Sequence, residues 1–247
     1  MVAYGYAIEM EGVWKKFKVY HDKSLSLKEK VLFWNREKTY CFWALKDISV
    51  KFPFGSTIGL IGRNGSGKST LLKLVSKILY PNGGKIVVNG RISTLLELGA
   101  GFHPDYTGRE NIFLNASILG LSRKEIKAKL DEIIRFADLG DFIDNPIRNY
   151  SSGMYTRLGF AVAVHVDPDI LLVDEVLSVG DLPFQQKCLS KINEIKDKGT
   201  TIVIVSHNLE TLSKICDHII WLHEGSIVSQ GPAKDVIKEY VSGFDGH

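Results

Sequence analysis

The stretch Gly62-Arg-Asn-Gly65-Ser-Gly67-Lys68-Ser69-Thr70 is preceded by the apolar run TIGLI (57–61) and runs into the helical pattern TLLKLVSKIL (70–79). A GxxxxGKS string in that setting reads as strand, phosphate-holding loop and helix. Its glycines let backbone N–H groups close around a β-phosphate, and the helix start adds partial positive charge. Lys68 then reaches the β- and γ-phosphates, and the Ser69 hydroxyl ligates Mg²⁺. Gly62, Asn64, Gly65, Ser66, Gly67, Lys68, Ser69 and Thr70 are accordingly the candidate nucleotide-binding residues.

Downstream, Asp169-Ile-Leu-Leu-Val-Asp174-Glu175 is an apolar run ending in two carboxylates. The first suits the Mg²⁺ shell, and the second suits orienting or deprotonating a water. Next come the polar loop Ser178-Val-Gly-Asp181 and the run TIVIVSH, whose last residue, His207, stands where a strand end can reach a γ-phosphate. Between the two carboxyl-bearing regions and the phosphate loop lies Tyr150-Ser151-Ser152-Gly153-Met154, directly before the helical run YTRLGFAVAVHV. Small residues there make either an anion site at a helix start or an ordinary cap by Ser151 or Ser152.

Short apolar runs at 57–61, 85–88, 170–173, 201–205 and 218–222 predict strands, and helical patterns cover 68–79, 109–119, 123–137, 154–166, 183–197 and 208–216. Strands and helices alternate at both ends, while 111–163 is nearly all helical. The fold class is therefore α/β, with a helical subdomain inserted between two pieces of one sheet. The 247 residues, 45% hydrophobic and 24% charged, exclude a disordered tail or a disulfide-stapled miniprotein. Cys41, Cys188 and Cys216 are far apart and form no CxxC, which argues against a zinc site and fits a reducing compartment. No apolar run approaches the ~18 residues a membrane helix needs.

The formal charge of +3 is unevenly spread. Residues 15–40 hold eight Lys/Arg against three acids, a local +5 that leaves −2 for the remainder, and interleave them with Phe17, Tyr20, Phe33, Trp34 and Tyr40. Within this segment Ser26-x-x-Glu29 has the form of a capping box, and Leu27, Val31 and Trp34 would share a helical face. A basic amphipathic helix of this kind suits a headgroup region or a lipid pyrophosphate, or else packs as a solvated helix on its own domain.

The order of motifs closely resembles the nucleotide-binding subunit of ATP-binding cassette (ABC) transporters over nearly the whole chain. That resemblance implies a P-loop NTPase with a RecA-like core (about 1–95 and 167–247), an N-terminal antiparallel β subdomain, and an inserted α-helical subdomain (about 96–166), all in one domain of residues 1–247. It implies ATP and Mg²⁺, with Ser69 and Asp174 on the metal, Glu175 activating water and His207 holding the γ-phosphate. Ser151, Ser152 and Gly153 stand at the family's LSGGQ signature, departing from it at three of five places, and would meet the ATP of a second copy. Ser178 and Asp181 occupy the D-loop. In LLELGAGFHP, Glu97 or a neighbour replaces the usual Q-loop glutamine as a metal-side ligand. Phe17 takes the adenine-stacking position, with Trp14 and Tyr20 as alternatives.

The insertion of about 18–43 before FWALKDIS, the LELGAGFHP loop and YSSGM together look like the ATPase subunit of bacterial polysaccharide exporters, of O-antigen or teichoic-acid type. The resemblance implies a homodimer with two ATP at its interface, a separate transmembrane permease, a lipid-linked polysaccharide substrate and a peripheral place on the cytoplasmic face of the inner membrane. Nucleic acid is not an expected partner. The competing readings are a cassette serving an importer or small-molecule exporter, and a soluble cassette ATPase acting on nucleic acid.

Overall fold

A computed structural model describes residues 5–20, 39–174 and 180–243. Three regions of the sequence reading lie outside them: the helical pattern of residues 26–34, Glu175 and Ser178.

Two strands of fifteen residues, β1 (Tyr6–Tyr20) and β2 (Thr39–Pro53), pair antiparallel from Tyr6↔Pro53 to Tyr20↔Thr39. With β4 (Gly83–Val88) on the other side of β1 they form a three-stranded sheet. The six-stranded sheet has the order β5-β6-β7-β3-β8-β9, comprising β3 (Thr57–Ile61), β5 (Ile92–Thr94), β6 (Ile170–Asp174), β7 (Thr201–Val205), β8 (His218–His223) and β9 (Ser226–Pro232). All its pairings are parallel except β8 with β9. Every residue of TIGLI and TIVIV is buried, which is why these strands read as unbroken apolar runs: layers cover both of their faces.

One layer is the three-stranded sheet together with α1 (Lys68–Val75), packed through Ile8, Met10, Leu45, Phe52, Leu60, Leu71 and Leu72. On the other side lie α2 (Gly108–Ile118), α3 (Arg123–Ala137), α4 (Ser152–Val164) and α5 (Leu182–Asp197), where Phe136 stacks on Phe160 and both meet Phe184 edge to face. Thr107 with Glu110 and Ser122 with Glu125 form capping boxes that start α2 and α3. Two short 3₁₀ helices (Gly140–Asp144 and Ile147–Asn149) and the helices α6 (Leu209–Ile215) and α7 (Ala233–Ser242) complete the described elements.

Helix α1 ends four residues before the predicted limit. Lys77 takes a left-handed φ of 61°, which no helix continues through. The basic segment also differs from the expectation at its edges. Residues 18–20 and 39–43 extend β1 and β2, so the insertion leaves from the far end of a hairpin rather than from a loop.

Candidate functional site

Parallel register places three motifs at one edge. Leu60 of β3 pairs with Val205 of β7, and Val205 pairs with Asp174 of β6. The loop 62–67 that follows β3, the Asp174 carboxylate and the Ser206-His207 turn therefore emerge together at the carboxyl ends of adjacent strands, where open α/β sheets bind ligands.

The loop itself is held from three directions. Lys68, only 5% exposed, donates from Nζ to Gly62 O (2.7 Å) and Arg63 O (3.1 Å), strapping the turn across its base. The turn joining β8 to β9 adds a bridge: Gly225 N–H donates to Ser66 O (3.1 Å), and Gly225 O accepts from Lys46 N (2.7 Å). On the β2 side, Gly67 has φ 108°, and a Cβ there would stand 2.6 Å from Ala44 O and 2.7 Å from Leu45 Cδ2. Only glycine lets β2 lie this close to the start of α1.

Gly67 is also the N-cap of α1, with no side-chain cap and no acid in the first turn. The first N–H groups of the helix are thus kept for an anion, with the helix dipole in support. Beside them opens a cavity of about 290 Å³ lined by Asn64, Gly65, Gly67, Lys68, Ser69 and Thr70 from the loop, and by Phe17, Phe42 and Ala44 from the hairpin. Phe17 is the aromatic candidate that lines it. Trp14 instead packs edge-on against Trp43 at 5.4 Å, and the Tyr20 side chain lies outside the description. Phe42 escaped the sequence reading; it is the cross-strand partner of Phe17, a relation visible only once the hairpin register is known.

Ser69 and Asp174 supply hard oxygen donors of the kind Mg²⁺ takes. The Glu97 carboxylate is half exposed and lies 3.4 Å from Lys73 Nζ. Tight turns after β5, with Ala100 N–H donating to Glu97 O and Phe102 N–H to Gly99 O, direct the chain toward the helices.

Those turns seat the loop on α4. A Cβ at Gly159 would lie 2.7 Å from Gly99 N, Tyr155 donates its hydroxyl to Gly99 O (2.9 Å), and Asn115 Nδ2 donates to Ala100 O (2.7 Å). Ser151 N-caps α4 by accepting from Met154 N (3.2 Å). Ser151 and Ser152 are exposed and Gly153 is half-buried. Among the described residues no hydrogen bond joins them to the loop 62–69. Tyr150, which precedes them, donates to Phe142 O (2.7 Å), and burial pushes its phenol up to about 12, so it stays a neutral strut.

Asp181 is the N-cap of α5 but does not cap with its side chain. Its carboxylate accepts from Arg157 Nη2 (2.7 Å), while the guanidinium lies over the Phe184 ring at 4.9 Å. The start of α5 is thereby tied to α4. His207 is exposed, following the end of β7.

A phosphate loop at the carboxyl edge of a parallel sheet, with an acid from the neighbouring strand system and an aromatic wall, defines a nucleotide-binding α/β cassette. The model for "ABC transporter" matches residues 45–178. The chain belongs to the ABC transporter family, with the fold and the motif order of its ATPase cassette. It is 49% identical over 241 residues to the O-antigen export system ATP-binding protein RfbB of Myxococcus xanthus, covering 95% of this chain and 55% of that protein. It is 46% identical to a protein of the same name from Klebsiella pneumoniae, covering 94% and 96% of the two chains. With the teichoic acids export ATP-binding protein TagH of Listeria innocua it shares 47% over 94% of this chain and 69% of that one. An ATP-binding subunit of an ABC transporter superposes with a TM-score of 0.76 at 23% identity over 98% and 95% of the chains. A dimeric ATP-binding cassette in a post-hydrolysis state gives 0.72 at 20% identity over 92% and 98%. These likenesses bear out the expected P-loop NTPase fold.

Proposed function

We propose that this chain is the ATP-hydrolysing motor of an exporter that moves a lipid-linked polysaccharide, of O-antigen or teichoic-acid type, across the cytoplasmic membrane. The observation that carries the reading is high identity, along almost the whole chain, to relatives named for export of both glycan classes. Importer and small-molecule readings have no such support.

In this reading Lys68 exchanges its two carbonyl partners for phosphate oxygens, and the free N–H groups of α1 take the rest of the anion. Ser69 and Asp174 hold Mg²⁺, which when bound neutralises charge on the β- and γ-phosphates. Glu175 orients and deprotonates the attacking water, and His207 fixes the γ-phosphate. The Ser151–Gly153 turn meets the nucleotide of a second copy, so that a homodimer encloses two ATP. The contacts of the 97–105 loop with α4 suit it to pass nucleotide-driven movement to a separate permease. Among the described residues no helix is long and apolar enough to cross a membrane, and the permease supplies the peripheral attachment at the cytoplasmic face.

The test is to purify the protein with its permease, identify the bound glycolipid by mass spectrometry and measure ATPase stimulation. Stimulation by the lipid-linked glycan is expected; stimulation by a small solute alone would overturn the substrate class. Glu175→Gln is expected to keep ATP binding while turnover nearly stops and a dimer accumulates in size-exclusion chromatography. Turnover at the wild-type rate would remove Glu175 from its role.

A further inference from the structure

Residues directly opposite in an antiparallel pair present their side chains on the same face. Phe17 and Phe42 are such a pair. The face that turns Phe17 toward the phosphate loop therefore turns Phe42 there too, and both line the cavity beside Lys68–Thr70. The approach is fixed by the absence of a Cβ at Gly67.

The two rings are not in the same condition. Lys15 Nζ lies 5.3 Å from the Phe17 centroid and is held there by donating to Tyr80 O (2.7 Å), so one face of Phe17 is already taken. Phe42 is 48% exposed and, among the described residues, has no ring or cation contact. A large apolar side chain left uncovered beside a loop built for phosphates is placed to cover something that enters with the phosphate. Among the described residues, the hairpin side of the cavity is lined by Phe17, Phe42 and Ala44, none with a polar side-chain atom.

We propose that Phe42 is a second base-contacting residue, so that the nucleobase is held by two aromatic side chains from opposite strands of the hairpin and selected by its π-face rather than by hydrogen bonds. The inference rests on the nucleotide reading of the loop 62–69. Stacking of one base on one aromatic side chain gives an expected loss of about tenfold in affinity when Phe42 is truncated. The same factor applies to ATP and GTP, because the face of either purine serves.

The experiment is calorimetric titration of the full chain with ATP, GTP and inorganic tripolyphosphate, comparing wild type with Phe42→Ala, Phe42→Leu, Phe42→Trp and Lys68→Ala. Phe42→Ala and Phe42→Leu should weaken ATP and GTP alike, Phe42→Trp should retain both, and tripolyphosphate, which has no base, should bind all three as it binds wild type. Unchanged ATP affinity in Phe42→Ala would overturn the proposal. So would an equal loss for ATP and tripolyphosphate, which would show Phe42 supporting the loop instead. Lys68→Ala should weaken all three ligands. If it weakens none, the nucleotide reading itself falls, and that outcome is distinct from the failure of Phe42.

Discussion

Replacing Gly67 by alanine tests the contact on which the site's geometry depends. Two costs add. A left-handed φ of 108° is strained for any residue with a Cβ, at about 1–2 kcal/mol. The new methyl would stand 2.6 Å from Ala44 O and 2.7 Å from Leu45 Cδ2, inside contact distance, and Leu45 is fully buried and cannot yield freely. Such overpacking costs about 1–3 kcal/mol, giving roughly 2–5 kcal/mol in all. Gly65→Ala is the matched control. Its φ is 81°, but a Cβ there meets nothing within 4 Å, so only the backbone cost of about 1–2 kcal/mol remains. The gain from a less flexible unfolded chain is common to both variants and cancels. Urea unfolding of the nucleotide-free protein should therefore place Gly67→Ala below Gly65→Ala by about 1–3 kcal/mol. In thermal melts that difference is roughly 2–12 °C for a chain of this size. If the two variants unfold at the same denaturant concentration, β2 does not press on the start of α1, and the placement of Phe42 loses its basis.

Cys188 and Cys216 are buried, and burial pushes their thiols up to about 12, whereas Cys41 is exposed. Iodoacetamide at pH 8 should modify Cys41 alone in the native protein and all three after denaturation; native labelling of a second site would contradict the packing. His165 is buried, donates from Nδ1 to Ala161 O (2.6 Å), and faces Glu132 and Lys191; burial lowers its pKa below the ordinary 6.5. The unfolded chain then binds the proton more readily, so stability is full above about pH 6.5 and declines as pH falls through the folded-state value. His165→Gln should flatten that decline in urea midpoints measured across the range, and an unchanged slope would assign it to other groups. The Arg157–Asp181 pair, at 2.7 Å with Arg157 mostly shielded, should give a coupling of about 1 kcal/mol in a double-mutant cycle of Arg157→Gln and Asp181→Asn; a coupling of zero would show that α4 and the start of α5 are not tied through it.

How far the structure could be read in advance followed from where each interaction is written. Strands 57–61 and 201–205 and helix 123–137 were predicted with their observed limits, the strands because burial on both faces leaves an unbroken apolar run, the helix because its apolar residues recur at helical spacing. The phosphate loop is legible because its function is contiguous in sequence. β1 and β2 are not, since the outer half of β1 mixes Lys15, Lys16 and Lys18 with aromatic residues and resembles a solvated segment, and its partner Thr39–Leu45 shows no alternation; what makes them strands is each other. Phe42 was hidden for the same reason, its role arising from a pairing with Phe17 rather than from its neighbours in the chain. Glu97 was assigned by position in a motif order; its ion pair with Lys73, between the turn after β5 and α1, is written nowhere in the local sequence. The edge strand β9 carries a half-exposed, mixed sequence with no unbroken apolar run.

The bridge from Gly225 to Ser66 and Lys46 has a consequence for the order in which the protein becomes competent. A ribosome delivers the phosphate loop early and the β8–β9 turn late, so a nascent chain carries the complete GxxxxGKS string long before anything holds it in shape. The closing partner arrives only when β8 has added to β3 and β9 has turned back on β8. A chain stopped short of residue 225 contains every residue of the loop and lacks the bridge from Gly225 to Ser66 and Lys46 that helps hold it.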